Sequence, residues 1–119
     1  MKKNEFMQIE WAVTDLEKTG SFLFQLFGWR FEPWISNHFV CWPEDSGIVV
    51  SLHKVEEAYT WTFPVAFVEV DEIASVLAKA EEFGGKTVMQ KKEHPGMGWY
   101  AQLSDPDGNI FGLFEEYKK

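Results

Sequence analysis

The feature that most constrains the fold is an order of strand, helix and turn signals that occurs twice along the chain. In the first half, apolar and polar residues alternate from Phe6 to Val13, which is the period of a half-buried strand. Thr14 or Asp15 then supplies an N-cap for an amphipathic helix that Gly28 ends. Three more strand-like segments follow at 29–35, 38–42 and 47–54. The first half therefore reads βαβββ.

The second half repeats this order after a connection at residues 55–63 that has no clean period. A strand at 64–70 precedes Asp71, which is predicted to cap a helix that ends at Gly84 and Gly85. Three strands are predicted at 86–91, 98–103 and 109–115, with turns at His94-Pro-Gly and Asp105-Pro-Asp-Gly.

Matching helix starts and glycine stops indicate an internal repeat. They predict an α+β fold made of two βαβββ modules, about 5–55 and 62–117, within a single domain that spans residues 1–119. The alternative is two unrelated α+β segments. Because 45% of the 119 residues are hydrophobic, the chain has enough apolar surface for one packed core.

Charge and composition limit the classes of molecule that the protein is expected to bind. A formal net charge of -8 repels phosphate backbones and anionic lipid surfaces, so neither nucleic acid nor a membrane is an expected partner. No apolar run approaches the roughly 20 residues that span a bilayer, and no signal-peptide core follows Met1, so we expect a cytoplasmic protein. The single cysteine, Cys41, fits a reducing compartment; it is predicted to be a buried hydrophobe, the alternative being a nucleophile assisted by His38.

Aromatic residues make up 17% of the chain, with six Trp and eleven Phe. So many in a small domain indicate either an oligomer interface or a pocket that stacks a flat ligand. Trp34, Trp42 and Trp61 fall in segments that a lone monomer would cover poorly, so we expect a homodimer.

Three motifs occur in order and cover nearly the whole chain: Val13-Thr-Asp-Leu16, the aromatic run at 22–31, and residues 103–115, which contain Asp-Pro-Asp-Gly-Asn and Phe-Gly-Leu. Together they resemble the vicinal oxygen chelate superfamily of glyoxalase I, extradiol dioxygenases and bleomycin-resistance proteins. They are most similar to short, lactoylglutathione-lyase-like members. The resemblance implies paired βαβββ modules that form a curved mixed sheet around a cleft, in a homodimer.

The resemblance also implies four metal-ligand positions. Gln8 occupies the first and is an acceptable oxygen donor. Ser51 occupies the second as a weak neutral ligand, while Val65 and Gly112 occupy the third and fourth and have no donor atom. We therefore expect no metal and no other cofactor, with Gln8 as the one position that matches a family ligand.

A displaced metal site is the alternative. Glu10 and His53 should point to the same strand faces as Gln8 and Ser51, so Gln8, Glu10 and His53 could together hold an ion. His38 and His94 lie in loop or edge sequence and are predicted to face solvent instead.

The predicted cleft mixes apolar walls with a few polar groups, as small-molecule sites do. Its predicted ligand-binding residues are Gln8, Glu10, Ser51, His53, Val65, Phe67, Glu69, Ile110, Gly112 and Phe114. Gly112 is expected to enlarge the cavity, because it removes a side chain where relatives keep a ligand.

Two functions remain open. The first is sequestration of a small organic ligand in a metal-free cleft, as in bleomycin-resistance proteins. The second is an isomerase or lyase that acts near a carbonyl, with Glu10 or His53 as catalytic acid or base. The structural alternative is that Glu10 and Glu69 are solvated or paired surface carboxylates and that His53 is an ordinary strand residue. A true glyoxalase I is disfavoured, since its enediolate needs a metal. The sequence does not decide whether the protein is an enzyme.

Overall fold

A computed structural model describes residues 3–35, 37–43, 47–56 and 64–118. These residues form eight strands and two helices. In chain order they are β1 (Phe6–Val13), α1 (Leu16–Phe27), β2 (Glu32–Pro33), β3 (His38–Cys41), β4 (Val49–Lys54), β5 (Val65–Glu69), α2 (Ile73–Glu82), β6 (Lys86–His94), β7 (Gly98–Ser104) and β8 (Ile110–Glu116). The chain divides into two compact units, Met7–Val65 and Ala66–Lys119, the second of which also contains Met1–Phe6.

The first unit pairs its strands in the order β2-β3-β4-β1, with β1 and β4 parallel and the other pairs antiparallel. Helix α1 begins at Asp15, whose carboxylate accepts a hydrogen bond from the Lys18 N–H at 3.0 Å. It ends at Gly28, whose left-handed φ of 76° suits glycine. One face of the sheet and the helix enclose a core around Leu23 and Leu52. The opposite face of β1 and β4 is thereby left for polar side chains.

The second unit repeats this plan. Its strands pair in the order β5-β8-β7-β6, again with one parallel pair, β5 and β8. Helix α2 packs Ile73 and Leu77 against strand residues such as Leu103 and Leu113. Two βαβββ modules with the same strand order confirm the predicted α+β fold class.

Two local predictions, the strand at 29–35 and the cap of the second helix, differ from the structure. The strand predicted at 29–35 contracts to Glu32–Pro33. Helix α2 is capped by Glu72 rather than Asp71, and the Glu72 side chain makes no capping bond. Instead, the buried carboxylate of Glu115 on β8 accepts the Ile73 N–H at 2.8 Å, so the helix start is satisfied from a distant strand.

Other predictions hold or fall outside the described residues. Cys41 is buried, as predicted. Burial raises the pKa of its thiol, and a hydrogen bond from the Arg30 backbone offsets this only in part. Trp61 and most of the predicted connection at 55–63 lie outside the described residues. Neither helix within the described ranges is long and apolar enough to cross a membrane.

Candidate functional site

The polar face of β1 and β4 carries two pairs of contacting side chains with the same offset along the two strands. In the parallel register, Gln8 lies opposite Val49 and Glu10 lies opposite Ser51. Each polar residue of β1 contacts the side chain two positions further along β4. Gln8 Nε2 donates to Ser51 Oγ at 2.6 Å, and Glu10 Oε2 lies 3.2 Å from His53 Nδ1. The strand alternation that the sequence predicted therefore does bring Glu10 and His53 together.

A second histidine joins this pair from β3. His38 is the direct antiparallel partner of His53, and their rings stack with centroids 4.4 Å apart and planes 8° from parallel. One ligand-capable atom from each of Glu10, His38 and His53 lies within 4.8 Å of the others, and all three residues are half-buried. We refer to these three residues as the Glu10–His38–His53 cluster.

The cluster corrects the expectation that His38 faces solvent. His38 is half-buried, and the ring of His53 stacks against one face of its imidazole. His94 is also half-buried, with its ring 5.9 Å from that of Tyr100. The sequence spacing was compatible with this pairing: His38 lies five residues before Pro43 and His53 lies six residues after Gly47, which is close to the symmetric spacing of partners across a hairpin.

Glu10 and His53 differ in exposure. The Glu10 side chain is 14% exposed and that of His53 is 40% exposed. Glu10 is thus sheltered while the imidazole can be reached by a ligand. The contact is an ion pair when His53 is protonated and a hydrogen bond when it is neutral.

Among the remaining predicted site residues, Val65 is the last residue of the first unit, and the others belong to the second unit. Phe67 lies opposite Gly112, and Glu69 lies opposite Phe114, so these four share one face of the β5 and β8 pair. The expectation that Gly112 enlarges a cavity is wrong. A Cβ atom at Gly112 would collide with the Phe67 ring, which already fills the space beside the glycine.

Glu69 is a paired carboxylate rather than an open one. It is fully buried, and its Oε2 accepts a hydrogen bond from Lys3 Nζ at 3.0 Å. This hydrogen bond raises the pKa of Lys3 above its usual value. The other oxygen, Oε1, has no hydrogen-bond partner among the described residues. Both carboxylates are therefore paired, Glu69 with Lys3 and Glu10 with His53, but Glu69 is buried and does not lie at the surface.

The four positions at which the resemblance implies metal ligands do not fit a metal. Val65 is buried and Gly112 is packed against Phe67, and neither has a side-chain donor. Gln8 and Ser51 supply two neutral oxygens and are already bonded to each other. Two neutral donors with no carboxylate are too weak a set for a divalent ion.

Comparison with known proteins identifies the family. The model of the glyoxalase-like domain matches residues 8–114, which is most of the chain. The chain belongs to the glyoxalase-like domain family. With that match, the superfamily assignment to the vicinal oxygen chelate group is established, as the motifs predicted. No protein with a curated description matched the sequence.

Solved structures share the fold at low sequence identity. Methylmalonyl-CoA epimerase from Mycobacterium tuberculosis superimposes with a TM-score of 0.71 at 11% identity, covering 99% of this chain and 93% of the epimerase. A hypothetical protein from Bacillus halodurans gives 0.71 at 16% identity, covering 99% and 98%. The Mn(II)-bound glyoxalase from Novosphingobium aromaticivorans gives 0.66 at 20% identity, covering 96% of this chain and 39% of that one. These likenesses concern the fold alone.

Proposed function

We propose that this glyoxalase-like protein binds a small organic carbonyl compound and moves a proton on the carbon next to the carbonyl, with Glu10 and His53 as the acid–base pair. The observation that carries the proposal is the 3.2 Å contact between Glu10 Oε2 and His53 Nδ1. A carboxylate at one nitrogen of an imidazole is the arrangement that prepares the other nitrogen for proton transfer.

The roles follow from exposure. Glu10 is sheltered, so it holds the proton on Nδ1 of His53 and thereby leaves the Nε2 lone pair available. Nε2 takes the proton as the C–H bond breaks, and the bonding electrons move into the enolate. Glu10 stabilises the imidazolium that forms, the Nε2 proton exchanges with solvent, and Nε2 then delivers a proton back to the carbon as the enolate electrons re-form the C–H bond. Gln8 has a second amide N–H beyond the one bonded to Ser51, and it is suited to donate to the enolate oxygen.

The structural relatives guide the choice of probe. An epimerase of methylmalonyl-CoA and a glyoxalase both share this fold, and epimerisation requires proton removal beside a carbonyl. At 11% and 20% identity these names do not transfer to this chain, so methylmalonyl-CoA serves as one member of a panel together with simple 2-hydroxy and 2-oxo compounds.

Sequestration without chemistry is the second candidate. It is favoured by the exposed aromatic pair Trp34 and Trp42, whose ring centroids lie 5.7 Å apart and whose side chains can stack on a flat cation or on a second copy of the chain. Homodimer formation and ligand contacts by Val65, Phe67, Ile110, Gly112 and Phe114 stay predictions.

The experiment follows exchange of substrate C–H protons for deuterium in D₂O by proton NMR. For a probe that the protein accepts, Glu10→Gln and His53→Asn should slow exchange by about 100-fold or more, since a positioned acid or base contributes about 10²–10⁴-fold. The matched control is His94→Asn, which alters the histidine that lies outside the cluster and should leave exchange unchanged.

Two results would count against proton transfer. Equal exchange rates in the wild-type protein and the His53→Asn variant would remove His53 from the reaction. A probe that binds tightly, as measured by calorimetry, and shows no exchange would instead favour sequestration.

A further inference from the structure

We propose that Glu10, His38 and His53 form a binding site for one divalent transition-metal ion of the zinc class, separate from the four positions at which relatives bind a metal. None of the three residues coincides with Gln8, Ser51, Val65 or Gly112. Glu10 and His53 lie two residues after the family positions Gln8 and Ser51 on the same strands, β1 and β4. The third residue, His38, lies on β3, which carries none of the family positions. The site goes beyond the proposed proton transfer and does not depend on it.

The distance between the first two donors already suits a metal ion. In a tetrahedral zinc site with bonds of about 2.0 Å, neighbouring donor atoms lie about 3.3 Å apart. Glu10 Oε2 and His53 Nδ1 are separated by 3.2 Å. An ion can therefore take the place of the proton between these atoms without movement of either strand.

His38 supplies the third donor. Its Cα lies directly opposite that of His53, and its donor atom is within 4.8 Å of the other two. The two imidazole rings are stacked at present, whereas ligands of one ion direct their in-plane lone pairs to a common point. Metal binding therefore requires the ring of His38 to turn about its side-chain bonds, which is a rotation that a half-buried side chain permits.

The donor set selects the class of ion. Two neutral imidazoles and one carboxylate suit Zn²⁺, Co²⁺ or Ni²⁺, while Mg²⁺ and Ca²⁺ prefer sets made of oxygen atoms. Three protein ligands also leave one tetrahedral position open, as in catalytic zinc sites. Because His53 is 40% exposed, that position can be reached by a small anion or carbonyl oxygen.

Metal binding and the proposed proton transfer use the same atoms. An ion on Glu10 and on Nδ1 of His53 displaces the proton that the carboxylate holds there. We therefore expect Zn²⁺ to inhibit exchange of substrate protons in the wild-type protein and to lose this effect in His38→Ala, which retains the Glu10 and His53 pair.

The direct test needs no substrate. Calorimetric titration of Zn²⁺ into the full chain, without a histidine tag, should show one ion per chain and no comparable heat with Mg²⁺. Replacement of any one ligand, as in Glu10→Gln, His38→Ala or His53→Ala, should weaken binding by about tenfold or more. Co²⁺ should give visible absorption bands of a four- or five-coordinate ion that vanish in His38→Ala.

The control again uses the third histidine of the chain. His94→Ala should bind Zn²⁺ like the wild-type protein, and thermal melts in Mg²⁺ establish that each variant folds. The proposal is overturned if no stoichiometric Zn²⁺ binds, if His38→Ala binds as tightly as the wild-type protein, or if His94→Ala weakens binding as much as the cluster variants do. If Zn²⁺ binds but no probe exchanges its protons, the metal site is supported and only the proposed proton transfer is refuted.

Discussion

The packing of Phe67 against Gly112 gives a quantitative prediction. A Cβ atom at position 112 would collide with the Phe67 ring, and the ring is itself buried on a strand. Gly112→Ala therefore forces the ring to shift within a close-packed interior, for which overpacking costs about 1–3 kcal/mol. With an unfolding entropy of about 2.1 cal/mol/K per residue, the melting temperature should fall by roughly 4–12 °C.

A double-mutant cycle isolates the contact. Phe67→Ala alone should cost about 3–5 kcal/mol through loss of burial and the cavity that remains. In the double variant, the methyl group introduced by Gly112→Ala enters the space that the ring left, so the combined loss of unfolding free energy should be smaller than the sum of the two single losses. Chemical denaturation of all four proteins provides the values.

The control is Gly47→Ala, since a Cβ atom at Gly47 would meet nothing within 4 Å and its φ is not in the left-handed region. It should be neutral or slightly stabilising because alanine restricts the unfolded chain. The conclusion that the Phe67 ring fills the space beside Gly112 is refuted by either of two results. The first is a loss of unfolding free energy in Gly112→Ala no larger than that in Gly47→Ala. The second is a double variant whose loss equals the sum of the two single losses.

Two further predictions concern ionisable groups. Because burial raises the pKa of Cys41, Ellman's reagent should modify the native thiol far more slowly than the denatured one, and equal rates would contradict its structural role. Burial alone would raise the pKa of Glu115, but the hydrogen bond from Ile73 and the contact with Lys91 together outweigh it and lower that pKa. The stability that the carboxylate supplies is therefore complete above its unfolded pKa of about 4.3 and is lost as the pH falls through the lower folded value. The difference in melting temperature between the wild-type protein and Glu115→Gln should be largest near neutral pH and shrink below about pH 4; a constant gap would contradict this.

The sequence predicted those features that depend on local signals. The N-cap at Thr14 or Asp15, the Gly28 stop and the strand at Phe6–Val13 each express a preference of a few neighbouring residues. The structure confirms the stop and the strand, and it places the cap at Asp15. The motif at 103–115 added the family, which periodicity alone could not supply. Within the site, alternation sufficed to place Glu10 and His53 on one face.

The sequence did not predict contacts between residues that lie far apart along the chain. The cap of α2 comes from Glu115, 42 residues after Ile73, and no local pattern announces such a bond. The space beside Gly112 depends on the rotamer of a residue on another strand, so a glycine in the sequence could equally indicate a cavity or a packed ring. His38 was missed because its importance lies in its register with His53, which only the hairpin fixes.

The position of the polar pairs on the sheet face opposite the helix has a consequence for how such a protein can evolve. The positions that carry Gln8, Glu10, Ser51 and His53 lie on the sheet face opposite the one that packs on α1. In the second unit, Phe67 and Gly112 occupy a face opposite α2 in the same way, but with apolar contacts. Selection can therefore replace one pair of contacting side chains on these faces by another, for example a polar pair by an apolar pair or an acid–base pair by metal ligands. The cores that pack on the helices, and that make each module fold, are left unaltered.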